Sequence, residues 1–101
     1  MTRADVKFIL KVPDNVASVL KKLHPLIKSH IRSGLRAILK QSYIGKALKD
    51  ELQGLRSFRV KRYRLIYRVC LDKQQVEIIT IGLRRIIYEE TFRNLTENKN
   101  S

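Results

Sequence analysis

The sequence predicts an α+β fold with the element order βααβββα, in which an N-terminal helical hairpin packs on an antiparallel sheet and a C-terminal helix follows. Apolar residues recur at helical spacing over residues 14–40 and again over 84–95, whereas residues 55–71 alternate apolar and cationic side chains as strands do. Residues 76–83 are apolar almost throughout, which is typical of a strand with both faces covered. The 101 residues and 44% hydrophobic content suit one domain over residues 1–101, with a polar, disordered tail at 96–101.

The first predicted elements are a short strand and a helix. Residues 6–12 are β-branched and aromatic, and Pro13 ends this run because proline cannot continue a hydrogen-bonded ladder. Asp14 or Asn15 is the predicted cap of the first helix, and Pro25 suits the first turn of the second helix. The first helix has an apolar face made of Val16, Val19, Leu20 and Leu23.

The second predicted helix has an apolar face and a basic face. Gly34 within it costs about 1 kcal/mol relative to alanine, so we expect another element to approach the helix closely there. The apolar face is Leu26 or Ile27, Ile31, Leu35, and Ile38 with Leu39. The opposite face of the helix pair carries Lys21, Lys22, Lys28, Arg32, Arg36 and Lys40. We favour a solvated surface for these cations over specific phosphate contact, because charged helix faces usually contact water.

Residues 41–54 predict an ordered connector between the helices and the sheet. Gly45 and Gly54 mark its corners, and Leu48 and Leu52 attach it to the core. The run at 55–71 contains no acidic residue, and it is too long for one strand of about six residues. We therefore predict a basic hairpin that turns at residues 61–62. Residues 72–75 form the next turn and lead to the buried strand at 76–83.

Charge is the strongest signal in the composition. The 22 Lys and Arg residues outnumber the 9 Asp and Glu residues, which gives a net charge of +13 and a pI near 10.4. A field of this size attracts polyanions. Nucleic acid is therefore the first candidate partner, an anionic membrane surface is the second, and an acidic protein that neutralises the cations is the third.

The cysteine content and the hydropathy point to the cytosol. Cys70 is the single cysteine, so no disulfide can form within the chain. Because Cys70 lies in an apolar strand, we interpret it as a small buried hydrophobe rather than a catalytic thiol. No run approaches the roughly 18 apolar residues that span a bilayer, and the N-terminus lacks the apolar core of a signal peptide. We expect a cytoplasmic protein that does not bind to membranes.

The alternation within the hairpin sorts its side chains onto two faces. In the first strand Phe58 and Val60 share one face. The other face takes Ser57, Arg59 and Lys61. In the second strand the two sets are Leu65, Tyr67 and Val69 on one face, and Arg64, Ile66, Arg68 and Cys70 on the other. We expect the C-terminal helix to cover part of the second set.

A groove for nucleic acid is one interpretation of these cations. Its walls would be Arg59, Lys61, Arg64 and Arg84, with Tyr88 at the edge. Guanidinium and ammonium groups grip phosphodiesters, and a tyrosine ring stacks on a base. The alternative, which the residues leave equally open, is solubilising charge beside a tyrosine of the core. His24 and His30 lie apart from the hairpin in the sequence, and isolated histidines are more often structural than catalytic.

Two motifs carry a family resemblance. The hairpin reads Leu-Arg-x-x-Arg-Val-x-x-Tyr-Arg-Leu-Ile-Tyr over residues 55–67, and the chain continues with Ile-Gly-x-Arg-Arg-x-x-Tyr over residues 81–88. Together with Gly-Lys-Ala-Leu-Lys at 45–49 and Leu52, these motifs resemble the RelE/ParE toxin superfamily. The resemblance covers residues 6–95, and the predicted element order is that of the family.

The resemblance implies a toxin of a bacterial or archaeal type II toxin–antitoxin pair. RelE-like members cut mRNA in the ribosomal A site and use the 2′-hydroxyl of the message as the nucleophile, whereas ParE-like members inhibit DNA gyrase. We expect the first activity, a metal-independent endoribonuclease that needs no cofactor and inhibits translation. The expected partners are mRNA on the ribosome and a cognate antitoxin, whose acidic or amphipathic segment binds the basic groove in a hetero-oligomer.

The resemblance also assigns roles to residues by position. The catalytic set is Lys61, Arg64, Arg84 and Tyr88, and the RNA-binding set is Arg59, Arg62 and Arg85. The cations would stabilise the charge that develops on the phosphate, and Lys61 is the expected proton acceptor because arginine stays protonated. Three departures from the family pattern stand out. Leu83 replaces a frequent histidine or lysine, and the hairpin turn is short, which would bring Lys61 into the turn. No glutamate or histidine near the hairpin takes the place of the bases found in other ribosome-dependent relatives.

Overall fold

The computed structural model describes residues 8–83, in which two helices pack on a five-stranded sheet. The strands are β1 (Ile9–Lys11), β2 (Lys46–Ala47), β3 (Arg56–Val60), β4 (Tyr63–Cys70) and β5 (Gln75–Leu83), and the helices are α1 (Asp14–Lys22) and α2 (Pro25–Lys40). The strand order in the sheet is β1-β5-β4-β3-β2. The predicted α+β class is confirmed. The predicted C-terminal helix at 84–95 and the tail at 96–101 lie outside the described residues.

The sheet is antiparallel except at one pair. The strands β2, β3, β4 and β5 pair antiparallel in that order, whereas β1 runs parallel to β5. The parallel pair follows from the connection, because two helices and most of the sheet separate β1 from β5 in the chain. β5 thus has a hydrogen-bonded strand on each side. Its residues from Ile78 to Ile81 are buried, as predicted for a covered strand.

Proline residues define where the helices begin. α1 starts at Asp14, but its N-cap is Pro13, which makes no side-chain capping bond, so the prediction of Asp14 or Asn15 as the cap is wrong. Asp14 instead lies in the first turn, where a carboxylate favours the positive end of the helix dipole. α2 starts at Pro25, as predicted. The amide of Leu26 donates to Nδ1 of His24 at 3.1 Å, which gives this histidine a structural role.

The apolar face of α2 packs directly on the hairpin. Ile31 and Ile38 are fully buried, and Ile27 rather than the 61% exposed Leu26 joins the core. At Gly34 a Cβ would lie 2.6 Å from Cγ2 of Val60. The close approach predicted from this glycine is therefore confirmed, and it fixes the distance between α2 and β3.

The connector at 41–54 contains regular structure that its weak sequence pattern did not predict. β2 pairs with β3 along the edge of the sheet, and one turn of 3₁₀ helix spans Asp50–Leu52. The predicted attachment of the connector is confirmed, because Leu48 and Leu52 pack on a small buried cluster made of Leu55, Ile66 and Ile79. This cluster lies on the face of the sheet away from the helices.

The two faces of the sheet differ in chemistry. The helix face, packed by α1 and α2, presents Phe58, Leu65, Tyr67, Val76, Ile78 and Ile81. We call the other side the basic face, and its members are Lys46, Ser57, Arg59, Arg64 and Arg68, which share a side by their pairing with one another or with Ile66 and Glu77. A register shift opposite Ile66 and Tyr67 leaves Ile79 as an extra residue in β5. Ile78 therefore packs in the core under the helices, whereas Ile79 packs in the small cluster with Leu55 and Ile66.

Candidate nucleic-acid interface

Two arginines of the hairpin lie directly opposite one another. Arg59 on β3 and Arg64 on β4 are register partners, so their side chains leave the same side of the sheet. The Nε atom of Arg59 donates to the carbonyl of Lys61 at 3.1 Å, which holds the side chain along the turn. Like charges placed opposite one another destabilise a strand pair. The hairpin therefore keeps a concentration of positive charge that its own folding does not favour.

Arg64 carries the most unusual polar atom of the site. Its Nη1 donates to Oγ of Ser57 at 3.4 Å, a long contact, while its Nε is buried and has no partner among the described residues. A buried donor on a charged group costs about 1–3 kcal/mol or more when it is left unpaired. An oxygen of an anion that binds beside Ser57 would satisfy this donor. The Nε atom of Arg64 can therefore donate a hydrogen bond to an acceptor from outside the described part of the chain.

Further along β4, Arg68 differs from this pair. It forms an ion pair with Glu77 on β5, with 3.0 Å between Nη2 and Oε1. Within residues 8–83 neither Arg59 nor Arg64 has an acidic partner of this kind. The charge of Arg68 is thus partly neutralised, so of the three arginines on the basic face the two without an acidic partner in residues 8–83 are the two nearest the turn.

Lys61 and Arg62 form the turn itself, as the short hairpin predicted. Val60 and Tyr63 are the last paired residues, and Lys61 is exposed with a φ of 57°. Lys61 borders two cavities of about 190 and 340 Å³ between the hairpin and α2, which also share His30 and Val60. Lys61 thus lies exposed at the end of the hairpin, beside these cavities and next to Arg59, whose Nε bonds to its carbonyl. The roles predicted for Lys61 and Arg62 stay predictions.

Four residues that the sequence analysis singled out remain to be placed, namely Arg84, Arg85, Tyr88 and Cys70. Arg84, Arg85 and Tyr88 lie outside the described residues, so the predicted second wall of the groove stays a prediction. Cys70 is half-buried at the end of β4, not fully buried as its apolar strand suggested. The end of a strand is less covered than its middle, which accounts for this difference.

A second polar network lies at the other end of the hairpin and was not predicted. The Tyr67 hydroxyl is buried, accepts from the amide of Gly45 at 2.9 Å and donates to the carbonyl of Ser42 at 2.8 Å. Arg56 donates to the carbonyls of Gly45 and Tyr43, at 2.9 and 3.1 Å. Burial raises the pKa of Tyr67 above its ordinary value, although the bonded Gly45 and the charge of Arg56 act against this. The alternation in the sequence did indicate that Arg56 is separate from the other arginines of the hairpin, because Arg56 leaves β3 on the same side as Phe58 and Val60.

The described part of the chain contains neither a metal-binding cluster nor a membrane-spanning helix. Among residues 8–83, no three His, Cys, Asp or Glu side chains lie close enough together to hold a metal ion. No helix in the same range is long and apolar enough to cross a membrane. The polar groups of the basic face are instead guanidinium, ammonium and hydroxyl groups, which suit an anionic ligand.

Several solved structures with a similar fold are toxins of toxin–antitoxin systems. The toxin–antitoxin complex RelBE2 from Mycobacterium tuberculosis contains a chain that is 27% identical, with a TM-score of 0.71 over 78% of this chain and 100% of that one. A mutant of E. coli toxin RelE in the free state is 17% identical, with a TM-score of 0.74 over 91% and 97%. The YoeB/ParE toxin from Agrobacterium tumefaciens is 19% identical, with a TM-score of 0.66 over 76% and 99%. The fold is thus that of the RelE-like toxins.

The family follows from the sequence itself. Residues 6–88 match the family model of the ParE toxin of type II toxin–antitoxin systems, parDE. The chain therefore belongs to the RelE/ParE toxin family and is a toxin of the type II class, which confirms the resemblance of the two motifs. A search of curated proteins found no match. Several of the similar structures are complexes with antitoxins, among them the archaeal RelE–RelB complex from Pyrococcus horikoshii.

Proposed function

We propose that this toxin is a ribosome-dependent mRNA endoribonuclease that inhibits translation. The observation that carries the proposal is the buried Nε of Arg64, which has no partner within residues 8–83 and belongs to a side chain beside Ser57 and directly opposite Arg59. A phosphodiester supplies several oxygen acceptors and a negative charge, so it satisfies this donor and relieves the repulsion between the two arginines. A net charge of +13 favours the approach of RNA.

The proposed reaction is a transfer within the message. The 2′-oxygen of one nucleotide attacks the adjacent phosphorus and forms a 2′,3′-cyclic phosphate, while the bond from phosphorus to the 5′-oxygen breaks. The proton of the 2′-hydroxyl goes to a base, and the leaving 5′-oxygen receives a proton, so no water is consumed. Arg64 with Arg84 stabilises the charge that builds up on the phosphate oxygens in the transition state.

The remaining predicted residues complete the proposal. Lys61 is the candidate base, because arginine does not release its proton, and Tyr88 is the candidate for packing on the substrate nucleotide. Arg59, with Arg62 and Arg85, holds neighbouring phosphates. A cognate antitoxin with an acidic or amphipathic segment would neutralise the same cations and so block the site.

The decisive experiment is expression of the toxin without its antitoxin, followed by primer extension on cellular messages. We expect cleavage within translated regions by the wild type. Arg64→Ala should reduce cleavage about 10²- to 10³-fold, as the loss of one charge-stabilising donor does in other enzymes. Arg68→Ala is the matched control, since it removes an arginine from the same strand and the same face that is already paired with Glu77. Intact messages in wild-type cells, or equal loss in the two variants, would overturn the proposal.

Inhibition of DNA gyrase is the second candidate function. The observation that favours it is the family model, which describes ParE toxins rather than RelE toxins. In that case induced cells would show DNA damage linked to gyrase, their messages would stay intact, and the purified toxin would inhibit supercoiling. The same induced culture therefore distinguishes the two candidates.

A further inference from the structure

Tyr43 presents an aromatic ring to solvent on the loop between α2 and β2. The residue is 54% exposed, although tyrosine usually buries most of its ring. The guanidinium of Arg56 lies 5.1 Å from the ring centroid, a distance typical of a cation–π contact. Arg56 occupies one side of the ring, so the exposed surface of Tyr43 is left for a planar partner.

The loop that carries Tyr43 is held in place by buried groups. Residues 42–45 make four hydrogen bonds with side chains: the Tyr67 hydroxyl accepts one and donates one, and the Arg56 guanidinium donates two. Gly45 is also tightly packed, because a Cβ there would lie 2.7 Å from the Tyr67 hydroxyl oxygen. Such a loop loses little conformational entropy when a ligand binds to it. The ring of Tyr43 is thus presented on a rigid support.

The position of Tyr43 connects it to the basic face. Lys46 lies three residues later and is the register partner of Ser57, the residue that contacts Arg64. Lys46 is exposed and shares the basic face, and a three-residue segment spans at most about 10 Å. Arg56 leaves the other side of β3, so a strand of RNA that places a phosphate at Arg64 would pass Lys46 and turn around the edge formed by β2 to reach Tyr43.

We propose that Tyr43, backed by Arg56 and flanked by Lys46, is a stacking site for an unpaired RNA base next to the basic face. The inference rests on the proposed function and adds a residue that contacts RNA away from the site of cleavage. Aromatic rings on a cationic surface are the usual means of binding single strands, because every base has a π face. Residues 40–49 contain three lysines and no acidic residue, which favours an anionic partner over a neutral or basic one, and among anionic partners the flat exposed ring suits the π face of a nucleobase.

The test measures binding rather than cleavage. The probe is a fluorescent, 2′-O-methylated single strand of about 12 nucleotides, within the usual range of site sizes, so that the toxin cannot cut it. The full-length chain is compared with Tyr43→Leu, Tyr43→Phe and Ile44→Ala by fluorescence anisotropy at low salt. Ile44 is the control because it is the exposed apolar neighbour, at 42% exposure. The backbone bond from Arg56 to the carbonyl of residue 43 survives in every variant.

We expect Tyr43→Leu to weaken binding about fivefold to hundredfold, the effect of losing one stacked base. Tyr43→Phe should bind within about twofold of the wild type, because it keeps the ring. Ile44→Ala should behave as the wild type. The inference is overturned if Tyr43→Leu binds as tightly as Tyr43→Phe, or if Ile44→Ala loses as much as Tyr43→Leu, since the second result indicates an apolar contact with a protein.

The two proposals fail in different ways. If the wild type cuts messages and Arg64→Ala does not, while Tyr43→Leu keeps full affinity for the probe, the stacking site is refuted and the endoribonuclease stands. If messages stay intact in the wild type but Tyr43→Leu still loses affinity relative to Tyr43→Phe, the stacking site stands and the endoribonuclease is refuted. A wild type that neither cuts messages nor binds the probe refutes both.

Discussion

Removing the hydroxyl of Tyr67 tests whether the buried network supports the fold. In Tyr67→Phe the ring stays in the core, and two backbone groups lose their partner: the amide of Gly45 and the carbonyl of Ser42. An unsatisfied buried polar group costs about 1–3 kcal/mol. Since the loop can relax in part, we expect the free energy of unfolding to fall by about 2–4 kcal/mol.

Urea denaturation at pH 7, followed by circular dichroism, measures this loss. Tyr63→Phe is the matched control, because Tyr63 lies on the same strand but its hydroxyl has no hydrogen-bond partner among the described residues. The control should change the free energy of unfolding by less than about 0.5 kcal/mol, as most substitutions outside buried networks do. The slope of the transition should stay the same in both variants, since neither changes the surface exposed on unfolding.

A loss below about 0.5 kcal/mol in Tyr67→Phe would refute the reasoning, because it would place the cost of two unsatisfied groups below the usual range. An equal loss in Tyr63→Phe would refute it too. That result would assign the effect to any tyrosine of β4 rather than to the bonds with residues 42 and 45. The bonds from Tyr67 to residues 42 and 45 would then not account for the rigidity of the loop that carries Tyr43.

Three further predictions concern stability. Gly34→Ala should destabilise by about 1–3 kcal/mol, because its Cβ would overlap Val60, and the double variant with Val60→Ala should lose less than the sum of the two single changes. Above the ordinary pKa of tyrosine, 10.0, the folded state holds the Tyr67 proton more tightly than the unfolded state, so wild-type stability should fall faster with rising pH than that of Tyr67→Phe. Glu77→Gln should cost less than about 1 kcal/mol, because Arg68 is 43% exposed and water screens the pair; a loss above about 2 kcal/mol by denaturation would contradict this.

The hairpin could be predicted from the sequence because its pattern is local. Alternation at period two places residues on a face without knowledge of the partner strand. Phe58, Leu65 and Arg59 accordingly lie on the predicted sides, and the turn falls at residues 61–62. The close contact at Gly34 could be predicted for a similar reason, since glycine within a helix is costly unless something lies against it.

The features that could not be predicted depend on contacts between distant residues. β2 consists of two exposed residues, which leave no periodic signal, and it forms only because β3 offers a free edge. The extra residue at Ile79 is invisible in an almost continuous apolar run. The lack of a partner for Arg64 Nε among the described residues depends on which groups surround it in the fold, so no spacing in the sequence could identify it.

The opposed arginines link the stability of the free toxin to the binding of its partners. Repulsion between Arg59 and Arg64 weakens the free hairpin, and any anion that binds between them removes that repulsion as well as adding its own contacts. Under the proposed function, an acidic antitoxin segment and an RNA phosphate would both do so, and they would compete because they use the same charges. Added salt would screen the repulsion and also weaken both proposed complexes. The same two residues would therefore make the free toxin less stable and, if the proposed function holds, give it affinity for either anionic partner.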